Sequence, residues 1–311
     1  MDLVVRCAHL PLRGETIIAN EASEIPGGKG ANQAVAAARA GGEVTMVGRV
    51  GDDGFSNQLL ENLTNEEIDT EFVRKTPNCA SGIAVVAVEE SGENNIMVIP
   101  GANARITPGD VANCEAQIAR ADVLLLQLEI PIESVAVAAE IARKSSVPII
   151  LDPAPMNTVI QSQNDSIGLL NVDVMCPNQS EAAQIVGHPV ETIDDARHAA
   201  RKIHDLGVQN VVITLGKQGA VEATENGDSW IDSFPVKAID TTAAGDAFAG
   251  ALAVQWAGHR QNAGRTSVHD AIRYACAAGA IAATRVGAQP SMATTSEIQR
   301  IMNGDVIDSG E

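Results

Sequence analysis

The sequence predicts an α/β protein: a doubly wound, mostly parallel sheet flanked by helices, with a small β-sheet lid set apart from it. Three observations predict this. From Thr107 onward short apolar runs alternate with helical patterns, the βαβ rhythm of a parallel sheet. Between Gly82 and Ile99 two apolar runs are joined only by a short polar turn, a hairpin signal with no helix. Hydrophobic residues make up 45% of the 311-residue chain and aromatics 2%, so Ala, Val, Ile and Leu must build the core, which suits helices packed closely on a parallel sheet.

In order, Asp2–Arg6 and Glu15–Ala19 read as short strands separated by a turn at Pro11 and Gly14. Gly30 to Ala40 is an alanine-rich helix ended by Gly41-Gly42. Val44–Arg49 is a buried strand, followed by a turn at 51–54 and a helix through Leu63. Gly82–Val88 and Asn94–Ile99 are the hairpin strands around the turn 89–93. The lid is therefore expected over 1–21 and 72–103, and the α/β core over 22–71 and 104–311. Within the core, Val123–Gln127, Pro148–Asp152, Val172–Cys176 and Val211–Thr214 read as strands. Ile132–Lys144, Glu181–Val186, Asp194–His204, Gly250–Trp256 and Asp270–Ala283 read as helices. Ligands of such sheets sit beyond the carboxyl ends of strands, where Asp152, Asn178 and Thr214 fall.

The formal charge of −19 argues against a nucleic-acid partner, because phosphate backbones need a basic face. No apolar run of about 18 residues appears and no leader opens the chain, so no membrane partner is expected. Five scattered cysteines without a C-x-x-C pair read as reduced thiols of a cytoplasmic protein. The six histidines lack metal-site spacing, so a transition metal is not expected.

One stretch carries the chemistry: Asp240-Thr241-Thr242-Ala243-Ala244-Gly245-Asp246 opening a buried helix. Small residues at Ala243, Ala244 and Gly245 let free N–H groups approach an anion at the positive end of the helix dipole. A carboxylate beside that anion, Asp246, suits proton abstraction from an attacking hydroxyl. The same residues also read as a helix cap with small side chains for packing. Gly28-Lys29-Gly30 fails the P-loop pattern, since Gly30 follows the lysine. It reads instead as close backbone approach to a small polar ligand, with Asn32 offering an amide, or as a plain turn before a helix. Glu129, just after a buried strand, needs a partner. Asp2 reads equally as a hydroxyl acceptor or an exposed acid. Asn178 and Glu181 share one helix face, as a pair for Mg²⁺ held through water and phosphates, or as a helix cap. Thr214-Leu215-Gly216-Lys217-Gln218-Gly219 leaves a strand and turns at two glycines, compatible with a nucleotide on its backbone. No G-x-G-x-x-G follows a strand, which disfavours a dinucleotide oxidoreductase.

Taken together, the Asp240–Gly250 segment, Gly27–Ala34, Gln127-Leu128-Glu129, Pro177–Glu181, Thr214–Gly219 and Thr284–Ser291 are similar, in order and over nearly the whole chain, to the signatures of the ribokinase/fructokinase family of carbohydrate kinases. The resemblance implies ATP-dependent phosphorylation of D-ribose at O5, with Asp246 as base and Ala243, Ala244 and Gly245 in an anion hole. It assigns Asp2, Gly28, Lys29, Gly30, Ala31, Asn32, Glu129 and Asp246 to the sugar. It assigns Asn178, Thr214, Leu215, Gly216, Lys217, Gln218, Gly219, Gly245, Asp246 and Cys276 to ATP, Cys276 standing where the family can carry a nucleotide-facing His. Mg²⁺ falls to Asn178 and Glu181. A monovalent cation, K⁺, falls to Asp240, Thr242, Ala282, Arg285, Gly287 and Ser291, mostly through backbone carbonyls. The family's lid covers the sugar and often pairs with a second subunit, so a homodimer through the lid is expected. The family also carries an apolar strand and an Asn ahead of the residues matching Met1-Asp2, which implies a start upstream of Met1.

Two rival readings stay open. One is a kinase for another sugar or a nucleoside, such as fructose or adenosine. Glu129 with Gly28–Asn32, and the short Ala84 and Val86 of the lid, favour a small sugar. The other is a catalytically weak sugar-binding or regulatory protein, against which Asp246 stands.

Overall fold

The computed structural model describes residues 1–89, 94–156, 160, 168–261 and 267–305. In chain order the strands are β1 (Asp2–Cys7), β2 (Glu21–Ile25), β3 (Thr45–Val50), β4 (Asp69–Lys75), β5 (Ile83–Glu89), β6 (Asn94–Ile99), β7 (Leu124–Leu126), β8 (Ile149–Leu151), β9 (Val174–Met175), β10 (Asn210–Thr214), β11 (Ala220–Thr224) and β12 (Gly227–Ile231). The helices are α1 (Lys29–Arg39), α2 (Gly54–Asn65), α3 (Pro108–Ala112), α4 (Glu115–Arg120), α5 (Ile132–Lys144), α6 (Gln179–Val186), α7 (Ile193–Asp205), α8 (Ala244–Gln261), α9 (Val268–Ala282) and α10 (Thr295–Met302).

The central sheet has the order β12-β11-β10-β9-β8-β7. Strands β7 to β10 run parallel, while β11 and β12 return antiparallel. Because side chains alternate across a strand, both faces of this sheet are apolar. Ile149, Leu151, Met175, Val211 and Ile213 pack toward α5, α6 and α7. Ile150, Val174 and Val212 pack toward α8, α9 and α10, against Leu252, Ile272 and Ile298. A fully buried Ile or Leu contributes roughly 1.5–3 kcal/mol, so this double-faced layer is the principal source of rigidity. It is the doubly wound arrangement predicted from the sequence, and it holds Asp152, Asn178 and Thr214 at the carboxyl ends of β8, β9 and β10.

A separate four-stranded sheet has the order β2-β1-β5-β6. Strand β1 pairs parallel to β5 and antiparallel to β2, and β5 pairs antiparallel to β6 as the hairpin signal predicts. The turn 90–93 lies outside the described residues. The second strand is Glu21–Ile25, not Glu15–Ala19. Residues 15–19 belong to a loop in which Glu15 accepts from the Leu12 N–H, and pairing resumes when the Asn20 N–H donates to the Arg6 carbonyl. Strand β2 is almost wholly exposed, so it carries no apolar alternation to read. Strand β4, which the sequence reading passed over, pairs parallel with β3 in a two-stranded sheet. Among the described residues β7 ends the six-stranded sheet, and a cavity of about 950 Å³ is lined both by Leu124, Leu125 and Leu126 and by Met46, Val47 and Gly48 of β3.

Helices α1, α8 and α9 pack together through small residues. At Gly250 of α8 an added Cβ would lie 2.5 Å from the Gln33 carbonyl and 2.6 Å from the Ala36 Cβ of α1. At Gly279 of α9 it would lie 3.0 Å from the Ala244 carbonyl at the start of α8. Gly250 sets how near α8 comes to α1, and Gly279 how near α9 comes to the start of α8. Gly250→Ala is therefore expected to lose roughly 1–3 kcal/mol in urea unfolding, as overpacking does. Gly258→Ala, on the same helix with nothing described within 4 Å of its Cβ, should gain up to about 1 kcal/mol. Equal midpoints for the two variants would show that α1 and α8 yield without strain.

Candidate active site

Helix α1 opens at Gly28, whose φ of 97° lies in the left-handed region and whose Cβ position meets nothing within 4 Å. Lys29 begins the helix, and the next turn turns Asn32 and Gln33 inward. Both are buried, Gln33 completely. Helix α8 opens at Ala244 and carries Asp246 in its first turn, 5% exposed.

The close approach of these two helix starts brings together residues more than 200 positions apart. Asn32 Nδ2 donates to Asp246 Oδ2 at 2.9 Å, and Gln33 Nε2 donates to Asp246 Oδ1 at 3.0 Å. Gln33 Nε2 also donates to Asp152 Oδ2 at 2.7 Å, while Gln33 Oε1 accepts from Gln127 Nε2 at 2.5 Å. The Lys29 ammonium lies 3.6 Å from Asp152 and 3.8 Å from Asp246. Unpaired, each buried carboxylate would cost several kcal/mol, so these donors are what permit the cluster. Sequence reading missed Gln33, Gln127 and Asp152 as members of the site. Only the strand-end position of Asp152 and the Gln-Leu-Glu run carried any signal.

Burial pushes the Asp152 carboxyl up to about 7, with Lys29 opposing and Asp246 and Glu181 adding to the rise. Burial likewise raises Asp2, Glu129 and Glu181 above the ordinary carboxylate range. For Lys29 burial acts to lower the ammonium, but Asp246, Asp152, Glu181 and Glu129 outweigh it and hold it above the ordinary lysine value. The cation is locked on by the acids around it.

The same cavity of about 950 Å³ is lined by Asp2, Gly28, Lys29, Asn32, Glu129 and Asp246, with Gly30 and Ala31. The structure thus brings together every residue assigned to the sugar. Glu129 Oε2 accepts from the Lys29 N–H at 3.1 Å. Asp2 is half-buried, its carboxylate lying over Gly27, so the exposed-acid reading of it fails. Asn32 Oδ1 is buried without a partner among the described residues. Ala31 packs against the neighbours of Ala34, Ala243 and Ala247.

At the start of α8 the Ala244 N–H donates to the Thr241 carbonyl at 3.2 Å, so Ala244 is not an open donor here. The N–H groups of Ala243, Gly245 and Asp246 have no partner among the described residues. A Cβ on Gly245 would meet nothing within 4 Å, which leaves the approach to those donors clear.

Beyond the sheet's carboxyl edge, Asn178 and Thr214 are bridged backbone to backbone. Asn178 Oδ1 accepts from the Glu181 N–H and Glu181 Oε2 accepts from the Asn178 N–H, a complete capping box on α6. The helix-cap reading of this pair is realised. It leaves Glu181 Oε1 as the carboxylate oxygen outside the box, so Glu181 fits a metal held through water whereas Asn178 fits only as its positioner. Among the described residues no group of three or more His, Cys, Asp or Glu side chains is arranged to hold a metal. Residues 216–218 form a tight turn closed by Leu215 N–H to the Gly219 carbonyl, and Trp230 Nε1 donates to the Gln218 carbonyl. Gly219 has φ 86° and no room for a Cβ, which would lie 2.0 Å from the Ile231 carbonyl. Lys217 is exposed, and Cys276 is buried beside Trp256 and Ile231, its thiol pushed up to about 12 by burial and Asp232.

The residues assigned to a monovalent cation come from two loops that the structure ties together. Asp240 Oδ2 accepts from the Gly287 N–H at 2.9 Å, and Asp240 Oδ1 accepts from the N–H and hydroxyl of Thr242. The Ala282 carbonyl accepts from the Arg285 N–H, the Arg285 side chain pairs with Glu297, and the Ser291 hydroxyl donates to the Ala288 carbonyl. The Asp240 side chain thus serves as a loop tie.

Residues 1–295 match the pfkB family carbohydrate kinase description. A ribokinase of Staphylococcus aureus is 37% identical over 289 residues, covering 93% of this chain and 92% of that protein. A deoxyribokinase of Salmonella typhi is 36% identical over 253 residues, 81% of each. Among solved structures, the ribokinase of Arabidopsis thaliana complexed with ribose and ATP aligns with a TM-score of 0.85 at 30% identity, over 98% of this chain and 96% of that one.

A carboxyl raised from 3.8 to about 7 on folding binds its proton more tightly in the native state. Its contribution to stability is full below the unfolded value and is lost as pH rises through 7. The melting temperature should therefore fall between pH 4.5 and 8, and Asp152→Asn should reduce that fall by roughly 3–6 °C. Calorimetry at stepped pH reads this directly, and an unchanged slope would move the burden to Asp2, Glu129 or Glu181.

Proposed function

We propose that this chain, which belongs to the pfkB family of carbohydrate kinases, transfers the γ-phosphoryl group of ATP to O5 of D-ribose. The observation that carries the reading is the held Asp246 carboxylate in the first turn of α8, lining one cavity with Asp2, Lys29, Asn32 and Glu129. A polyol is matched by such a wall, whose carboxylates accept hydrogen bonds from its hydroxyls.

In this reading Asp246 takes the proton of the O5 hydroxyl as the oxygen attacks the γ-phosphorus. The O5–P bond forms, the bond from phosphorus to the β,γ-bridging oxygen breaks, and ADP leaves with that electron pair. The N–H groups of Ala243, Gly245 and Asp246 stabilise charge on the transferred group, worth several kcal/mol in a water-poor site. Ala244 supports them through its turn with Thr241. The adenine nucleotide lies along Thr214–Gly219, with Asn178 beside Thr214 and Cys276 in the wall behind. Mg²⁺ bound with ATP supplies neutralisation of the phosphates, and Glu181 Oε1 is the oxygen placed to hold its water shell. The Asp240–Thr242 and Ala282–Ser291 loops would hold a monovalent cation, K⁺, whose charge would rigidify the start of α8. The four-stranded sheet acts as a lid over the sugar and, through exposed Ile96, Met97, Val98 and Ile99 of β6, as the contact of a homodimer. The enzyme works in the cytoplasm, in keeping with its five free thiols.

A second acceptor, 2-deoxyribose, is favoured by the likeness to a deoxyribokinase. ADP release with Mg²⁺-ATP across ribose, 2-deoxyribose, fructose and adenosine separates the readings, with K⁺ and then Na⁺ present. Ribose-dependent turnover stimulated by K⁺ is expected. Asp246→Asn should lower turnover by about 10²- to 10⁴-fold with little change in sugar affinity. Equal loss of turnover and affinity would remove Asp246 from the proton transfer.

A further inference from the structure

We infer that Gln33 is the positioning residue that aims the Asp246 carboxylate, fixing one of its oxygens so that the other faces the acceptor hydroxyl. This rests on the proposed kinase reading for what Asp246 does, but not for what Gln33 holds. Gln33 is completely buried and spends its amide on side chains around it, so its part is played through them.

Its amide has one possible orientation. Oε1 accepts from Gln127 Nε2, and Nε2 donates to Asp152 Oδ2 and Asp246 Oδ1. Rotating the amide by half a turn would set its oxygen against two carboxylates and its nitrogen against another amide nitrogen, three contacts reversed at once. Gln127 is therefore the lock and Gln33 the clamp. The two donors on Asp246 then divide its oxygens. Oδ1 is held by fully buried Gln33 on the Lys29 side. Oδ2 is held by Asn32, which lines the cavity. Oδ2 is thus the oxygen left to take the proton, and its remaining lone pair is directed by the clamp on the other side.

The surrounding charges make this clamp matter. Asp246 is faced by Lys29 from α1, Asp2 from β1, Glu129 after β7, Asp152 after β8 and Glu181 from α6. A donor placed between Asp246 and Asp152 favours the ionised form against that acidic company. Replacing it with an apolar side chain of the same length should let protons reach the carboxylates at higher pH.

The test uses Gln33→Met in the full chain, with the pH profile of kcat/KM and with kcat and both KM values on the plateau. The acid limb is expected to move up by about one pH unit and plateau kcat to fall about tenfold, with both KM values changed less than about twofold. An unmoved acid limb, or a sugar KM rising in step with the loss of kcat, would overturn the assignment. If Gln33→Met does not fold, Gln127→Met decides: it keeps both Nε2 donors but unlocks the amide. It should shift the limb in the same direction by a smaller amount, and no shift would overturn the proposal. If the wild type turns over no sugar, the kinase reading fails separately. The clamp is then read without substrate, from ¹³C-carboxyl NMR of aspartate-labelled wild type and Gln33→Met, with Asp246→Asn to assign the signal. A midpoint for Asp246 higher in Gln33→Met supports the clamp, and equal midpoints overturn it.

Discussion

The site depends on one contact, the crossing of the first turns of α1 and α8. An amide pair from one helix, Asn32 and Gln33, meets a carboxylate from the other, Asp246, with all three side chains buried. A crossing so close is possible only because Gly250 removes a side chain where α8 meets the α1 backbone. Lys29, Asp152 and Glu129 gather around that contact. Lys29 precedes the amides by one turn, Asp152 reaches the same Gln33 nitrogen from the end of β8, and Glu129 accepts the N–H that opens α1.

The sheet explains why these groups arrive at one place. Parallel strands end together on one edge, and both faces of the sheet are filled by aliphatic side chains, so polar residues can gather only past the strand ends. Asp152 follows β8, Asn178 follows β9 and Thr214 ends β10. The capping box of Asn178 and Glu181 then belongs to the same logic: the helix that follows β9 needs its first N–H groups satisfied, and doing so orients Glu181 toward Lys29.

How much of this was legible in sequence follows from the range of each interaction. Local signals were read well: Ile132–Lys144 has a helical stripe and the Gly82–Ile99 hairpin has two apolar runs. Strand Glu21–Ile25 lacks an apolar face and was placed at Glu15–Ala19, where Thr, Ile and Ile look like a strand but form a loop. The β11–β12 hairpin was passed over, although Asn226-Gly227 stands at its turn between Thr224 and Gly227. Glycine motifs and Asp246 stood out because close backbone approach and a lone acid at a helix start are local facts. Gln33 did not, because a glutamine in an alanine-rich helix has no local peculiarity. Its meaning comes from Asp152 and Asp246, more than a hundred residues away.

The remaining question is how a chain of formal charge −19 accommodates a nucleotide beside so many carboxylates. Coulomb repulsion between a phosphate and the cluster falls off slowly at low dielectric, so the acids would oppose binding if their charges were free. They are not free. Lys29 is held charged by its neighbours, burial holds the Asp152 carboxyl well above the ordinary carboxylate range, and two amides cover the oxygens of Asp246. On the proposed reading the cavity then presents hydrogen-bond acceptors to a neutral sugar and reserves its open backbone donors, Ala243, Gly245 and Asp246, for the phosphate.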